Sequence, residues 1–301
     1  MEIFYSIKSE FWAMSLLSTI LDNIRVYWSK MALAQKGRYS KIKSEVGMHF
    51  CVIKSKTIKI FVAMVLVMIL LAVSFNGSSS AQVFFGYSTR KVPIYNVETE
   101  EKQVAISFDA AWGADKTQGI LDILKEFDVN ATFFLVGFWV DDYPEMVKAI
   151  DEAGCEIGTH SNTHPDMVKL SKSTMKSELE TSISKIKEVT GKDVKLFRAP
   201  YGSYNNTLLE TADELGLKTI QWDVDSLDWK GLSASEICSR ITSRVKNGSI
   251  ILMHNNSDNI LEGLRLTLNR LKVAGYKITC ISDLVYESDY TIDRNGIQHK
   301  N

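Results

Sequence analysis

From Lys102 onward, short apolar runs alternate with longer stretches in which apolar residues recur every three or four positions. The short runs predict strands at Val104–Phe108, Ala131–Val136, Glu156–Thr159, Lys195–Arg198, Lys218–Trp222, Ser249–Met253 and Tyr276–Ile281. The periodic stretches predict helices between them, at 115–127, 143–153, 171–189, 205–215, 233–246 and 259–274. Local punctuation agrees. Gly154, Gly191, Gly216 and Gly275 each follow a predicted helix. Ser171 stands where a cap belongs, and Ser233 with Glu236 makes the Ser-x-x-Glu of a capping box. Repeated β-α units of this length point to a parallel sheet. Seven of them point to an α/β fold built as a distorted (β/α) barrel, closed or nearly so. An open doubly wound sheet is the other arrangement with this periodicity. No GxGxxG follows the first strand and there is no Walker A loop, so nucleotide binding has no support.

The pattern before Lys102 is different. Residues 1–57 form a basic N-terminal region, with Lys30, Lys36, Arg38, Lys41, Lys43, Lys54 and Lys56 set against Glu45 in its second half. Residues 58–75 are apolar apart from Lys59 and Ser74, long enough for a transmembrane anchor or a signal segment if Lys59 snorkels. The basic flank puts the N-terminus inside and the rest of the chain outside the cytoplasm, as a single-pass membrane protein. Small residues at Ser78–Ala81 also offer a cleavage site, which would make the chain a secreted one. Met48 opens a compact leader of its own, so residues 1–47 are expected to be an extension ahead of the true start. Residues 76–101 read as a linker, 102–288 as the globular domain and 289–301 as a tail.

Composition narrows the function little. A formal net charge of -1 gives no reason to expect nucleic acid as a partner. Cys51, Cys155, Cys238 and Cys280 show no paired spacing, so neither a disulfide framework nor a thiolate metal site is expected.

The candidate chemistry lies where predicted strands end. His160 and His164 stand four positions apart and can face one metal ion, although such a pair also occurs as surface or capping histidines. Asp109 ends a strand as either a helix cap or a general base. Arg198, between Phe197 and Ala199-Pro200, is expected to point inward, where its guanidinium needs Asp109 or Asp228 as partner. Trp229 reads as core or as pocket wall. His254 ends another strand as a third imidazole. The turn at Tyr201-Gly202 offers backbone N–H groups to an oxyanion. Clusters at the ends of many strands suggest one site assembled on the C-terminal face of a barrel.

His160-x-x-x-His164-Pro165, Arg198-Ala199-Pro200-Tyr201-Gly202, Asp225-x-x-Asp228-Trp229 and Leu252-x-His254, in this order, resemble the polysaccharide deacetylases, carbohydrate esterase family 4 with the NodB homology domain. The resemblance spans about Val104 to Tyr286. It implies metal-dependent hydrolysis of N-acetyl groups on amino sugars, with a cell-wall glycan such as peptidoglycan as partner. By position it implies His160 and His164 as metal ligands, Asp109 as base and His254 as acid. Arg198 would tether the base and Asp228 would orient the acid. Trp229 and Leu252 would wall the acetate pocket, and the Tyr201 N–H would hold the oxyanion. The implied cofactor is a divalent metal, zinc first, then cobalt, manganese or iron.

The first motif departs from the family. Where the pattern carries a second aspartate as metal ligand, this chain has Ala110 in Phe108-Asp109-Ala110-Ala111-Trp112-Gly113. Asp109 itself, a water or Asp115 could fill the position; otherwise the metal is weak or absent, leaving a glycan-binding or structural spore-envelope protein. The Phe-Asp-x-x-Trp-Gly form resembles the sporulation branch, the PdaB-like proteins, whose basic leader and membrane segment this chain shares.

Overall fold

The computed structural model describes residues 58–59, 61–66 and 90–301. Residues 58–59 and 61–66 are helical; the remainder of the expected membrane segment, the basic region and the proposed start at Met48 lie outside the described residues. Among the described residues no helix is long and apolar enough to cross a membrane.

Residues 90–301 are built on an eight-stranded parallel sheet. In chain order its strands are β2 (Gln103–Ala110), β3 (Thr132–Leu135), β4 (Glu156–Thr159), β5 (Leu196–Phe197), β6 (Lys218–Thr219), β7 (Val224–Asp225), β8 (Ile250–His254) and β9 (Lys277–Thr279). Spatially they run β6-β5-β4-β3-β2-β8-β7, and β9 pairs with the first part of β2. The helices between them are α1 (Thr117–Glu126), α2 (Gly137–Asp142), α3 (Pro144–Glu152), α4 (Lys172–Thr190), α5 (Asn206–Glu214), α6 (Ala234–Thr242) and α7 (Ile260–Val273), and α8 (Ile281–Leu284) follows β9. The caps form as the sequence predicts. Ser171 accepts from the Thr174 N–H at 3.2 Å, and both arms of the Ser233–Glu236 box are made.

Strand β2 explains the layering. It is buried almost throughout, as a parallel strand covered on both faces should be. Its even-numbered residues, Val104, Ile106, Phe108 and Ala110, join the apolar layer that includes the buried helix faces. Ala105 joins a second cluster inside the curl of the sheet, with Ile94, Phe134, Leu196 and Ile220. Further along the same face come Ser107, bonded to the Ile251 carbonyl at 2.7 Å, and Asp109. The period-2 alternation thus delivers Asp109 to the interior at the C-terminal end of the curl.

The barrel does not close by pairing β6 with β7. Residues preceding β2 cross the opening instead. Ile94 bridges to Ile220 just past β6, and Asn96 bridges to Ser249 just before β8. Asn96–Val97 form β1, which pairs with β11 (Ile297–Lys300), itself paired with β10 (Tyr290–Ile292). Residues 90–101 and 289–301, read from the sequence as linker and tail, therefore belong to the folded domain. Buried Gln298 ties the hairpin down through both the N–H and carbonyl of Tyr286, each at 2.9 Å. These strands are too short and too mixed in polarity to show a period. The same holds for β7, two residues long, and for α2, lodged between a predicted strand and a predicted helix.

Gly248 sits where β1 meets the sheet. Its φ is +76°, and a Cβ there would overlap the carbonyl oxygen of Val97. Gly216 has a similar φ of +72° with nothing within 4 Å. Gly248→Ala is expected to cost roughly 2–3 kcal/mol, because β1 must move as well as the backbone strain. Gly216→Ala should cost only the strain of positive φ, about 1 kcal/mol. Thermal denaturation followed by circular dichroism compares them; equal shifts would show that the β1 contact adds nothing.

Candidate active site

Apart from Asp115, every residue singled out for chemistry lines, or directly supports, one cleft of about 770 Å³ at the C-terminal ends of the strands. Asp109 on β2 and His254 on β8 are register partners on neighbouring parallel strands, so their side chains stand side by side. His160 follows β4, Arg198 follows β5, and Asp228 follows β7.

Arg198 is fully buried and takes Asp109, not Asp228, as its partner. Its Nη1 donates to Asp109 Oδ1 at 2.8 Å and its Nη2 to the Gln221 carbonyl at 3.1 Å. The guanidinium lies 4.1 Å from the Phe134 ring centroid and 5.5 Å from that of Trp222. Burial alone would push the Asp109 carboxyl up. The attraction of Arg198, with smaller contributions from His160 and His254, outweighs it and holds the group below the usual carboxylate range. Asp109 is therefore ionised at neutral pH. It is not a helix cap.

Asp228 serves His254. Its Oδ1 lies 2.7 Å from His254 Nδ1, and its Oδ2 accepts from the His254 backbone N–H at 2.8 Å. Asp228 is buried, and a Leu227 φ of +52° marks the tight turn that aims it. Burial opposes the charged imidazole, but the Asp228 hydrogen bond and charge prevail and raise His254 above its ordinary value. With Nδ1 engaged, Nε2 is the nitrogen free to act in the cleft.

The histidine pair is deeper. His160 is buried, and its Nδ1 lies 2.7 Å from the Arg198 carbonyl, which can only accept, so Nδ1 carries the proton. Burial keeps His160 below its ordinary pKa, and burial with the neighbouring His160 lowers His164 to about 4. Both are neutral at pH 7. The His160 Nε2 lone pair then faces Asp109 Oδ2 at 3.5 Å, and His164 Nδ1 is buried without a partner. Those lone pairs suit a cation, but the donors stop at two imidazoles. Asp109 is held by Arg198, and Asp115 is exposed and lies outside the cleft lining. Among the described residues no three His, Cys, Asp or Glu side chains converge on a metal position. The residues present do not make the two-histidine, one-carboxylate set the resemblance implied, because Ala110 has no ligating atom.

Leu252 is buried in the cleft wall, whereas Trp229 is 60% exposed on its rim, so the core reading of Trp229 fails. Tyr201 has φ +61° and stands edge-on to His164, ring centroids 4.7 Å apart. Sequence reasoning missed Trp112, Trp222, Asn255 and Asn256, which also line the cleft. Trp112 had a signal, an aromatic three residues after the candidate base. The asparagines, directly after His254, had only their position.

Comparison with known proteins bears on this arrangement. The family model for polysaccharide deacetylase matches residues 96–220. Over 199 residues the chain is 31% identical to the peptidoglycan-N-acetylmuramic acid deacetylase PdaA of Bacillus subtilis, covering 65% of this chain and 76% of that protein. The chain belongs to the polysaccharide deacetylase family. It is also 34% identical over 201 residues to the uncharacterized protein YlxY of B. subtilis, covering 67% of this chain but only 63% of YlxY. Among solved structures it is similar to wild-type BA3943 from Bacillus anthracis, described as a CE4 family pseudoenzyme, with 34% identity, a TM-score of 0.63, and coverage of 70% of this chain and 73% of that one. The curled sheet is thus the polysaccharide deacetylase fold.

Replacing Asp228 by Asn removes the main influence raising His254 and leaves the burial that lowers it. In Asp228→Asn the imidazole is expected to titrate clearly lower than in the wild type, with only the more distant Asp109 and Asp225 left to oppose burial. In the wild type the pair stabilises the fold below the ordinary imidazole pKa, and that contribution is lost as pH rises through the folded-state value. Proton NMR titration of the imidazole reads this; an unchanged value would show that Asp228 does not control the acid.

Proposed function

We propose that this chain hydrolyses N-acetyl groups on the amino sugars of a cell-wall glycan of the peptidoglycan type. The observation that carries the reading is the His254 imidazole, 2.7 Å from the buried Asp228 carboxylate, standing in register beside Asp109. An amide nitrogen cannot leave without a proton, and a water attacks its carbonyl poorly without losing one. Asp109 takes the proton of the attacking water as the new C–O bond forms. The oxyanion turns toward the Tyr201 backbone N–H. As the C–N bond breaks, His254 passes its Nε2 proton to the nitrogen, leaving acetate and a free amine. Leu252 and Trp229 border the acetyl methyl. No step is routed through a metal, since the donor set does not fit one.

A second reading has its own support. With its pKa held low, Asp109 is a weak base toward water that no metal activates. BA3943, similar over most of the domain, is described as a pseudoenzyme, and a mutant of it as having restored enzymatic activity. On this reading the chain binds glycan without turning it over. Acetate release from peptidoglycan and from N-acetylglucosamine oligomers separates the two. The first reading expects slow release by the wild type, at least roughly 100-fold lower in Asp109→Asn. Ala110→Asp should gain both metal affinity, read by calorimetry, and rate. No release by the wild type, with glycan binding intact, establishes the second reading instead.

We also infer that residues 58–75 hold the domain outside the cytoplasm, at the envelope of a spore-forming cell. The basic region, the apolar run and the Phe-Asp-x-x-Trp-Gly motif support this. Protease added to intact protoplasts is expected to remove the domain; full protection would refute the placement.

A further inference from the structure

Among the described residues of the domain, five large apolar or aromatic side chains are exposed: Trp112, Tyr143, Tyr201, Trp229 and Val273. Three of them, Trp112, Tyr201 and Trp229, line the cleft. Exposed aromatics gathered at one concave site mark a binding surface, where scattered ones would not.

Trp112 is the least expected of the three. It is 64% exposed, yet its loop is held firmly. The carbonyl of Gly113 accepts from Trp139 Nε1 and from Asn255 Nδ2, each at 2.8 Å. Gly113 has φ +67°, and the Asn256 side chain fills the space where a Cβ would stand. On the protein side the indole is braced by Phe138 and by the edge of His164, at centroid distances of 6.3 and 4.9 Å. A rigid aromatic at a cleft mouth presents a binding face that loses little entropy when occupied.

We propose that Trp112 is the stacking platform for a second sugar of the glycan, next to the one being deacetylated. This rests on the glycan-deacetylase reading above and adds to it the side chain that would hold a sugar neighbouring the reacting one. A pyranose ring has an apolar C–H face suited to an indole, and hydroxyls at its edge suited to Asn256 and Asp258, which line the same cleft. The reacting acetyl group must lie between Asp109 and His254. Trp112 stands off that position, against His164, while Trp229 adjoins Asp228 on the His254 side. A ring on Trp112 is therefore a neighbour of the reacting sugar. A cleft of about 770 Å³ has the size of a site that holds more than a small fragment.

The test is calorimetric binding of the N-acetylglucosamine monomer and tetramer to the full chain and to Trp112→Ala, Trp112→Phe and Val273→Ala. Trp112→Ala is expected to weaken the tetramer about tenfold and the monomer less than about twofold. Trp112→Phe should recover the tetramer to within about threefold of wild type, and the exposed control Val273→Ala should change neither. Undiminished tetramer binding in Trp112→Ala, or equal loss for both ligands, overturns the platform while leaving the glycan reading in place. If the wild type binds neither ligand nor peptidoglycan fragments, the glycan reading itself falls, and the platform with it.

Discussion

The ion pair between Asp109 and Arg198 is the contact on which the rest of the site depends. Both groups are buried, and neither could be charged there alone. Asp109 ends the central strand, and Arg198 comes from the far side of the curl, after β5. Joining them spans the curl of the sheet, with the guanidinium 4.1 Å from the Phe134 ring centroid. The same geometry turns the Arg198 carbonyl toward His160 Nδ1, which sets the tautomer of that ring. One buried pair thus positions the base, selects a histidine nitrogen and seals the upper end of the barrel interior. Removing either partner would strand a buried charge, at a cost of about 3–5 kcal/mol.

Much of this was legible in the sequence because strand ends and chemistry coincide. Apolar runs ending at Asp109, Arg198 and His254 marked all three as strand-end residues and turned Arg198 inward, but left Asp109 open between a helix cap and a base. Helices with caps, such as α4 and α6, fell within a few residues of their expected bounds. Hidden were the features that need three dimensions. Nothing near Arg198 says which of two aspartates it joins; the topology decides, by bringing β5 round toward β2 and leaving Asp228 beside β8. Residues 94–97 form so little strand that only their partners, Ile220 and Ser249, reveal their part in bridging the curl. Trp229 looked like core or pocket wall because tryptophans are apolar, and its exposure depends on a turn that begins at Leu227.

Ala110 separates two properties that the family usually combines. The side chain is buried in the outer apolar layer, so the position costs the fold nothing. What is lost is a donor. Two neutral imidazoles remain, one with its lone pair opposed to a carboxylate oxygen, which is an unfavourable electrostatic arrangement in a buried site. The histidines are therefore not explained by stability. Their lone pairs would suit a cation, but among the described residues no third His, Cys, Asp or Glu joins them to complete a metal site.

The two ionic pairs of the cleft then carry different weight as evidence for turnover. Asp109–Arg198 has a structural role as well, because the pair spans the interior of the curl. His254–Asp228 is different. The imidazole is 32% exposed at the cleft, and its removal would leave a surface that water can fill. A partly exposed histidine whose pKa a buried aspartate raises contributes little to folding and is costly to orient, since Asp228 must be desolvated and aimed through a left-handed turn at Leu227. Such a group is what a proton donor requires and what a passive glycan clamp does not. Hydrolysis is therefore tied to that dyad more closely than to the histidine pair, whose third partner is missing among the described residues.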